Sequence, residues 1–301
     1  MVEQLPQDVI ARLRALDPAI TPELAQASWA LLTPFHEKLG YTAPRIVRDL
    51  RYGEHARHRL DVHAAGEPSG GAGDRGAPVF VFVHGGGFVR GDKYQPGTPA
   101  YDLVGAWAVR HGWVGVNMTY RYAPEFQWPA GAQDVAAAVA WLRENIAGYG
   151  GDPDRIIVAG NSAGATHVAD FAAGHGGDLA GVRGAALISG IYTARPAEPA
   201  APPHPYYGDA AADPAMASLP CLVESHVPLL FAVAERDPDR FHETAGEAVN
   251  AWLARHGTLP DLVWVEGHNH MSAIGSLGVD DAALGVPLAR FVERESYLPG
   301  E

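Results

Sequence analysis

Six continuous apolar runs, at residues 78–83, 113–118, 155–159, 184–189, 229–233 and 262–265, punctuate this chain. A run without polar alternation suits a strand covered on both faces. Helical patterns lie between them, over 129–146 with Val135, Val139, Trp141 and Leu142, and over 244–256 with Val249, Trp252 and Leu253. Strand and helix in alternation predict an α/β fold, with a mostly parallel central sheet and helices on both faces. There is no internal repeat.

The first forty residues have a different character. Val9, Ile10, Leu13 and Leu16 recur at helical spacing and Pro18 stops the run. Thr21-Pro22-Glu23-Leu24 then reads as a cap with proline at the first helical position, opening a second helix to about Gly40. Its Leu24, Trp29, Leu31, Leu32 and Phe35 are more apolar surface than a free helix leaves in water, so it must pack on something. Residues 47–52 and 58–63, with Gly53-Glu54-His55 between them, read as an antiparallel strand pair, and 64–77 as a surface loop.

Composition removes several functions. With 301 residues, 47% apolar, the chain can bury the core of one large domain or two small ones. Its 35 acidic and 22 basic side chains give a net charge of −13, which argues against a nucleic-acid partner. No stretch reaches the ~20 apolar residues of a membrane span. The first ten residues carry Glu3 and Asp8 without a basic, apolar leader, so a cytoplasmic location is expected. The single cysteine, Cys221, excludes a disulfide framework and reads as a buried small hydrophobe.

The strongest chemical signal is Gly160-Asn161-Ser162-Ala163-Gly164, set between the run 155–159 and a helix-compatible stretch. At a sharp strand-to-helix turn the glycines let backbones approach, and the serine is lifted to the helix N-terminus, where negative charge is favoured. The second signal is His84-Gly85-Gly86-Gly87-Phe88, at the carboxyl end of the run 78–83. The amides of Gly86 and Gly87, with that of Ala163, would make a three-donor oxyanion hole, each donor worth about 3 kcal/mol of barrier. No lysine follows in phosphate-loop register.

A serine needs a base, and the base an orienting acid. Asp237 follows the run 229–233, with Asp239 an alternative in the same loop. The base lies in Gly267-His268-Asn269-His270-Met271-Ser272, after the run 262–265. His270 is favoured over His268 because it leads toward the final helix. The remaining histidines show no metal-ligand pattern, and neither a metal nor an organic cofactor is expected. Arg121 and Glu125 read as a structural ion pair, and Trp128, Trp141 and Trp252 as core.

His84-Gly-Gly-Gly-Phe88, Tyr120-Arg-Tyr-Ala-Pro-Glu125, Tyr149-Gly-Gly-Asp-Pro-Asp-Arg155 and Gly160-Asn-Ser-Ala-Gly164 together resemble the hormone-sensitive-lipase-like branch of the α/β-hydrolases. The resemblance runs from about Val47 onward. It implies a carboxylic ester hydrolase with Ser162, Asp237 and His270 as triad and Gly86, Gly87 and Ala163 as oxyanion hole. It also implies two parts, an N-terminal helical cap over 1–45 and a catalytic domain over 46–301. Asn161 stands where this branch usually has an acid, and Ala165 where it has a further glycine. The hairpin Asp-Leu-Arg-Tyr-Gly … Arg-His-Arg-Leu-Asp-Val-His63 and His270-Met-Ser-Ala-Ile274 are similar to arylformamidase-like relatives, which keeps an aryl amide open as the alternative substrate. A non-catalytic small-ligand module is the third reading, disfavoured because every triad position is filled.

As a cap, the N-terminal helices would roof the pocket with Trp29 and Phe35, while Phe88, Tyr192, Tyr206 and Tyr207 would wall it. An aromatic, uncharged pocket suits a short acyl or aryl ester better than a long lipid chain. The expected partner is therefore a small-molecule ester or amide. An edge strand or the final helix, about 282–293, offers a surface for a homodimer, and nothing in the sequence forces one.

Overall fold

A computed structural model describes residues 4–67, 76–193, 204–208, 216–280 and 282–296. Helices α1 (Gln7–Arg14) and α2 (Pro22–Leu39) precede strands β1 (Arg45–Arg51) and β2 (Arg59–Ala64). Then come β3 (Ala77–Val83), α3 (Asp102–Arg110), β4 (Val114–Met118), α4 (Ala130–Asn145), β5 (Gly151–Asn161), α5 (Ala163–Ala172) and β6 (Val182–Ile188). The one-turn α6 (Leu219–Leu222), β7 (Leu229–Arg236), α7 (Asp239–His256), β8 (Asp261–Asn269), the short α8 (Ser272–Gly275) and α9 (Gly285–Ser296) follow in turn.

The strands form one eight-stranded sheet in the order β1-β2-β4-β3-β5-β6-β7-β8. The expected hairpin pairs in register Val47↔Val62, and β2 is antiparallel to β4. All pairings from β4 to β8 are parallel. Strand period two sends alternate residues to opposite faces. Val79, Val81 and Val83 of β3 join one core, with Val135 and Val139 of α4 and Val168 of α5. Phe80 and Phe82 join the other, with Trp107 of α3 and Leu288 and Phe291 of α9.

Edge position modifies the expectation for the last run. Val263 and Val265 are buried, but Leu262 and Trp264 are 50% and 52% exposed, because among the described residues β8 is the edge strand and one face is open. Thr21 caps α2 as its sequence suggests, its Oγ accepting from the Leu24 amide at 3.2 Å. Leu5, Val9, Ile10 and Leu13 meet Leu32 and Val279 in a separate cluster and Trp29 packs on the second core, so the apolar surface of the two N-terminal helices is covered partly by each other and largely by β8 and α8. The final helix starts three residues later than expected, after a turn in which the Ala283 amide donates to Asp280. Cys221 is exposed, not buried, since Leu219 and Leu222 take the inward positions of the single turn α6. Trp128, Trp141 and Trp252 are only partly buried at the margin of the cores. Among the described residues, no helix is long and apolar enough to cross a membrane.

Candidate active site

Adjacent parallel strands bring their carboxyl ends to one edge, and here β3 and β5 are in register Val83↔Gly160. The turn from β5 into α5 therefore stands beside the loop that leaves β3. Ser162 occupies the corner with φ 56°, a left-handed conformation that costs a non-glycine residue about 1–3 kcal/mol. Bonds on both sides hold it: the Ser162 amide donates to Ile188 at 2.9 Å, and its carbonyl accepts from Thr166 at 3.1 Å. The flanking glycines are required sterically. A Cβ on Gly160 would stand 2.4 Å from the Gly164 carbonyl group, and one on Gly164 would stand 2.1 Å from the Val83 oxygen.

The Ser162 hydroxyl lies 2.8 Å from His270 Nε2, and His270 Nδ1 lies 2.6 Å from Asp237 Oδ1. Asp237 is buried, and its other oxygen accepts from the Ser189 hydroxyl at 2.6 Å and the Ala234 amide at 2.7 Å. With its acceptors so engaged, the carboxylate favours the imidazole tautomer that carries hydrogen on Nδ1, leaving Nε2 to receive the serine proton. The His270 ring rests 4.4 Å from that of Phe241. Asp239, the alternative acid, is exposed in the first turn of α7. His268, the alternative base, is buried and committed elsewhere, to Ser272 Oγ at 3.0 Å and Asp280 at 3.1 Å.

The glycine loop begins in contact with the serine: a Cβ on Gly85 would lie 3.1 Å from Ser162 Cβ. Gly86 and Gly87 have φ 140° and 59°, and their amides donate to no other group among the described residues. Ala163 opens α5, where the first amides of a helix lack intrahelical acceptors. Beneath the loop His84 is fully buried, stacked at 4.5 Å on Tyr120, whose hydroxyl donates to the His84 carbonyl. Burial pushes the His84 imidazole down to about 3, so it is neutral. Among the described residues no group of three His, Cys, Asp or Glu side chains could hold a metal ion.

The BD-FAE family model matches residues 68–180, the stretch holding both glycine motifs. Esterase LipQ of Mycobacterium tuberculosis is 41% identical over 162 residues, 53% of this chain and 34% of that protein. Carboxylesterase NlhH of the same organism is 48% identical over 89 residues, 29% of this chain and 26% of that protein. The chain thus spans about a quarter to a third of the length of the curated relatives it matches. Among solved structures, a hyperthermophilic esterase from Pyrobaculum calidifontis superposes with TM-score 0.67 at 20% identity, covering 97% of this chain and 98% of that one. A putative thioesterase from Silicibacter superposes with TM-score 0.66 at 23% identity, covering 96% and 98%. The chain has the α/β-hydrolase fold.

Within this fold three of the six expected pocket residues come together and three do not. Phe88 is buried and stacks parallel on Tyr206 at 4.6 Å, with Tyr207 at 6.2 Å and His167 at 5.3 Å. Tyr192 instead faces the core. Gly190 has no side chain to prevent its ring from folding back, so the hydroxyl donates to the Leu187 carbonyl at 3.3 Å and the ring meets Phe231. Trp29 lies against Tyr101 and Gly275, and Phe35 packs in the α1–α2 cluster; neither contacts the Phe88 group. Further residues of the Pro-rich loop around Tyr206 lie outside the described residues.

The expected Arg121–Glu125 pair is also replaced. Arg121 binds Asp134 of α4 at 2.7 Å, because that carboxylate is buried and needs donors, whereas Glu125 is exposed. Ser189 and Asn269 escaped the sequence reading. Ser189 holds the acid, and the Asn269 side chain accepts from the Met271 and Ser272 amides at 3.0 Å, closing the turn that carries His270. Their only signal is position, each at the carboxyl end of a strand.

Proposed function

We propose that this chain hydrolyses a carboxylic ester of short acyl or aryl type through an acyl-enzyme on Ser162. The unbroken line of bonds from Ser162 through His270 to the doubly anchored Asp237 carries this reading. The partial likeness to esterases supports it.

In this mechanism Ser162 Oγ attacks the carbonyl carbon as His270 Nε2 takes its proton. The resulting oxyanion accepts from the amides of Gly86, Gly87 and Ala163, which are fixed before the reaction and so cost no reorganisation. Collapse breaks the bond to the leaving oxygen, and His270 returns the proton to it. Water then attacks the acyl carbon, giving its proton to the same nitrogen, and the acid departs with Ser162 reprotonated. Asp237 keeps Nδ1–H oriented and stabilises the imidazolium throughout. Phe88 and Tyr207 wall the acyl or leaving group, and α1 with α2 form a cap segment against β8 and α8.

The test is hydrolysis of p-nitrophenyl esters of increasing acyl length beside N-formyl and N-acetyl anilides, with Ser162→Ala in parallel. Turnover of short esters that the substitution abolishes is the expected result. Preference for the anilides would move the assignment to an amidase.

A further inference from the structure

The hairpin β1–β2 plays no part in the chemistry above, yet its turn reaches the loop that carries Gly86 and Gly87. That loop is closed on itself. A Cβ on Gly91 would stand 2.4 Å from the Gly85 oxygen and 2.6 Å from His84 Nδ1, so its two ends touch. Within it the Arg90 amide donates to Gly86 at 3.2 Å.

One side chain grips both ends. Arg57 Nη2 donates to the Gly91 carbonyl at 3.2 Å and lies 3.4 Å from His84 Nε2, while its Nε donates to Tyr120, the residue stacked on His84, at 2.7 Å. The guanidinium sits 3.8 Å from the centre of the Tyr122 ring, whose hydroxyl donates to the same Gly91 oxygen. His84 fits this arrangement in only one tautomer. Its Nδ1 hydrogen points to the Gly85 oxygen at 2.6 Å, and Nε2 is left to accept from Arg57. Arg57 is itself anchored, its carbonyl accepting from Thr119 Oγ and from the Arg59 amide. Two residues further along the loop, Lys93 binds Asp49 at 2.8 Å and Asp61 at 3.2 Å, so the same hairpin also holds the loop's exit.

We propose that Arg57 is a positioning residue: by clamping His84 and Gly91 it fixes the turn between them and so aims the Gly86 and Gly87 amides at the oxyanion. A planar guanidinium holds several donors in fixed directions toward acceptors on separate segments, a geometry that the single nitrogen of an ammonium does not reproduce. Small displacements of such donors are costly, since a shift of about 1 Å can reduce rate about 100-fold. The inference rests on the reading of Ser162 as nucleophile and of these amides as its oxyanion donors.

The experiment compares wild type, Arg57→Ala, Arg57→Lys and Tyr122→Phe with p-nitrophenyl acetate, below each variant's unfolding temperature. Two inhibitors are measured alongside: a trifluoromethyl ketone, which forms the tetrahedral oxyanion, and the matching methyl ketone, which does not. For Arg57→Ala we expect kcat to fall about 10- to 100-fold with KM within about 3-fold of wild type. Trifluoromethyl ketone affinity should fall in step, with methyl ketone affinity unchanged. Arg57→Lys should regain part of the loss and Tyr122→Phe should show a smaller one. Equal weakening of both ketones, or a loss confined to KM, or no loss, overturns the proposal. Should Arg57→Ala not fold, the other two variants carry the same comparison. Absence of Ser162-dependent turnover in wild type, together with absence of labelling by a fluorophosphonate, would instead defeat the underlying reading.

Discussion

Two glycine-rich turns face each other across the carboxyl ends of β3 and β5, and they are held in opposite ways. The turn at Ser162 is fixed from within: Gly160 and Gly164 touch, and Gly164 lies on the Val83 carbonyl with no room for a Cβ. The turn at Gly86 needs glycine as well, but its ends are gripped from outside, by Arg57 and Tyr122 on Gly91 and by Asp49 and Asp61 on Lys93. Steric fixation is local and leaves its requirement in consecutive residues. Fixation by distant side chains distributes that requirement over a hairpin and a loop that no short motif joins.

The largest effect should come from Ser162→Ala. Removing the nucleophile should lower ester turnover by about 10⁴-fold or more while circular dichroism and the unfolding midpoint stay near wild type. Retained turnover would remove the chemical meaning of the whole elbow. Gly164→Ala tests the steric fixation itself. Its methyl group meets main-chain oxygen, which cannot rotate aside, so we expect losses above about 3 kcal/mol and little soluble protein. Near-normal expression and activity would show that the elbow yields, and the contrast between the two turns would fail.

Ser189→Ala is expected to act on the acid. It leaves the Asp237 carboxylate with the Ala234 amide as its remaining partner on that oxygen, a loss of about 2 kcal/mol in denaturant titrations and several-fold in kcat. Unaltered kcat would mean that the Ala234 amide alone orients the pair.

Acid should bear on the aromatic floor shared by the two turns. His167 of α5 and His84 are both buried, and burial pushes each imidazole down to about 3 from an ordinary 6.5. The unfolded chain therefore binds more protons than the folded one between these values, so stability present above pH 6.5 is lost as pH falls toward 3. Among the described residues His167 has no hydrogen-bond partner on either ring nitrogen, and it touches the rings of Phe88, Tyr120 and Tyr206. His167→Phe should therefore fold, and its unfolding midpoint should drop less than that of wild type between pH 7 and 5. An equal drop would place the acid sensitivity elsewhere.

These contrasts also explain what the sequence made legible. The sheet was readable because burial on two faces forces continuous apolar runs, and it misled only at β8, where an edge leaves Leu262 and Trp264 half exposed despite their character. The elbow serine stood out because close backbone approach demands glycine at fixed spacing, and Asp237 and His270 because their strands end beside them. Tyr192 was misread for the converse reason. An aromatic residue after a strand looks the same whether its ring turns outward or back over a glycine, and Gly190 decides the matter through space. Arg121 likewise chose a partner thirteen residues away, since only burial of Asp134 created the demand. Ser189, Asn269 and Arg57 are lone polar side chains whose partners only the folded chain supplies, and such residues at strand ends or turns are too common to announce a role.

The smallest predicted effect separates two neighbouring glycines. At Gly86, with φ 140°, a Cβ would stand 1.8 Å from the Arg90 oxygen, so any side chain breaks the turn. At Gly87, with φ 59°, a Cβ meets nothing within 4 Å. Gly87→Ala should therefore cost only the left-handed conformation, about 1–2 kcal/mol, without displacing the loop. Its amide would stay in place, so kcat for p-nitrophenyl acetate should remain within a few-fold of wild type. Any penalty should grow with acyl length if, as proposed, the Gly87 amide faces the reacting carbonyl, because the methyl group then enters open space beside it. A uniform fall of 100-fold across all acyl lengths, at unchanged stability, would mean that glycine at this position is demanded by the oxyanion itself. The loop would then be as sterically dictated as the elbow, and the distinction between the two turns would vanish.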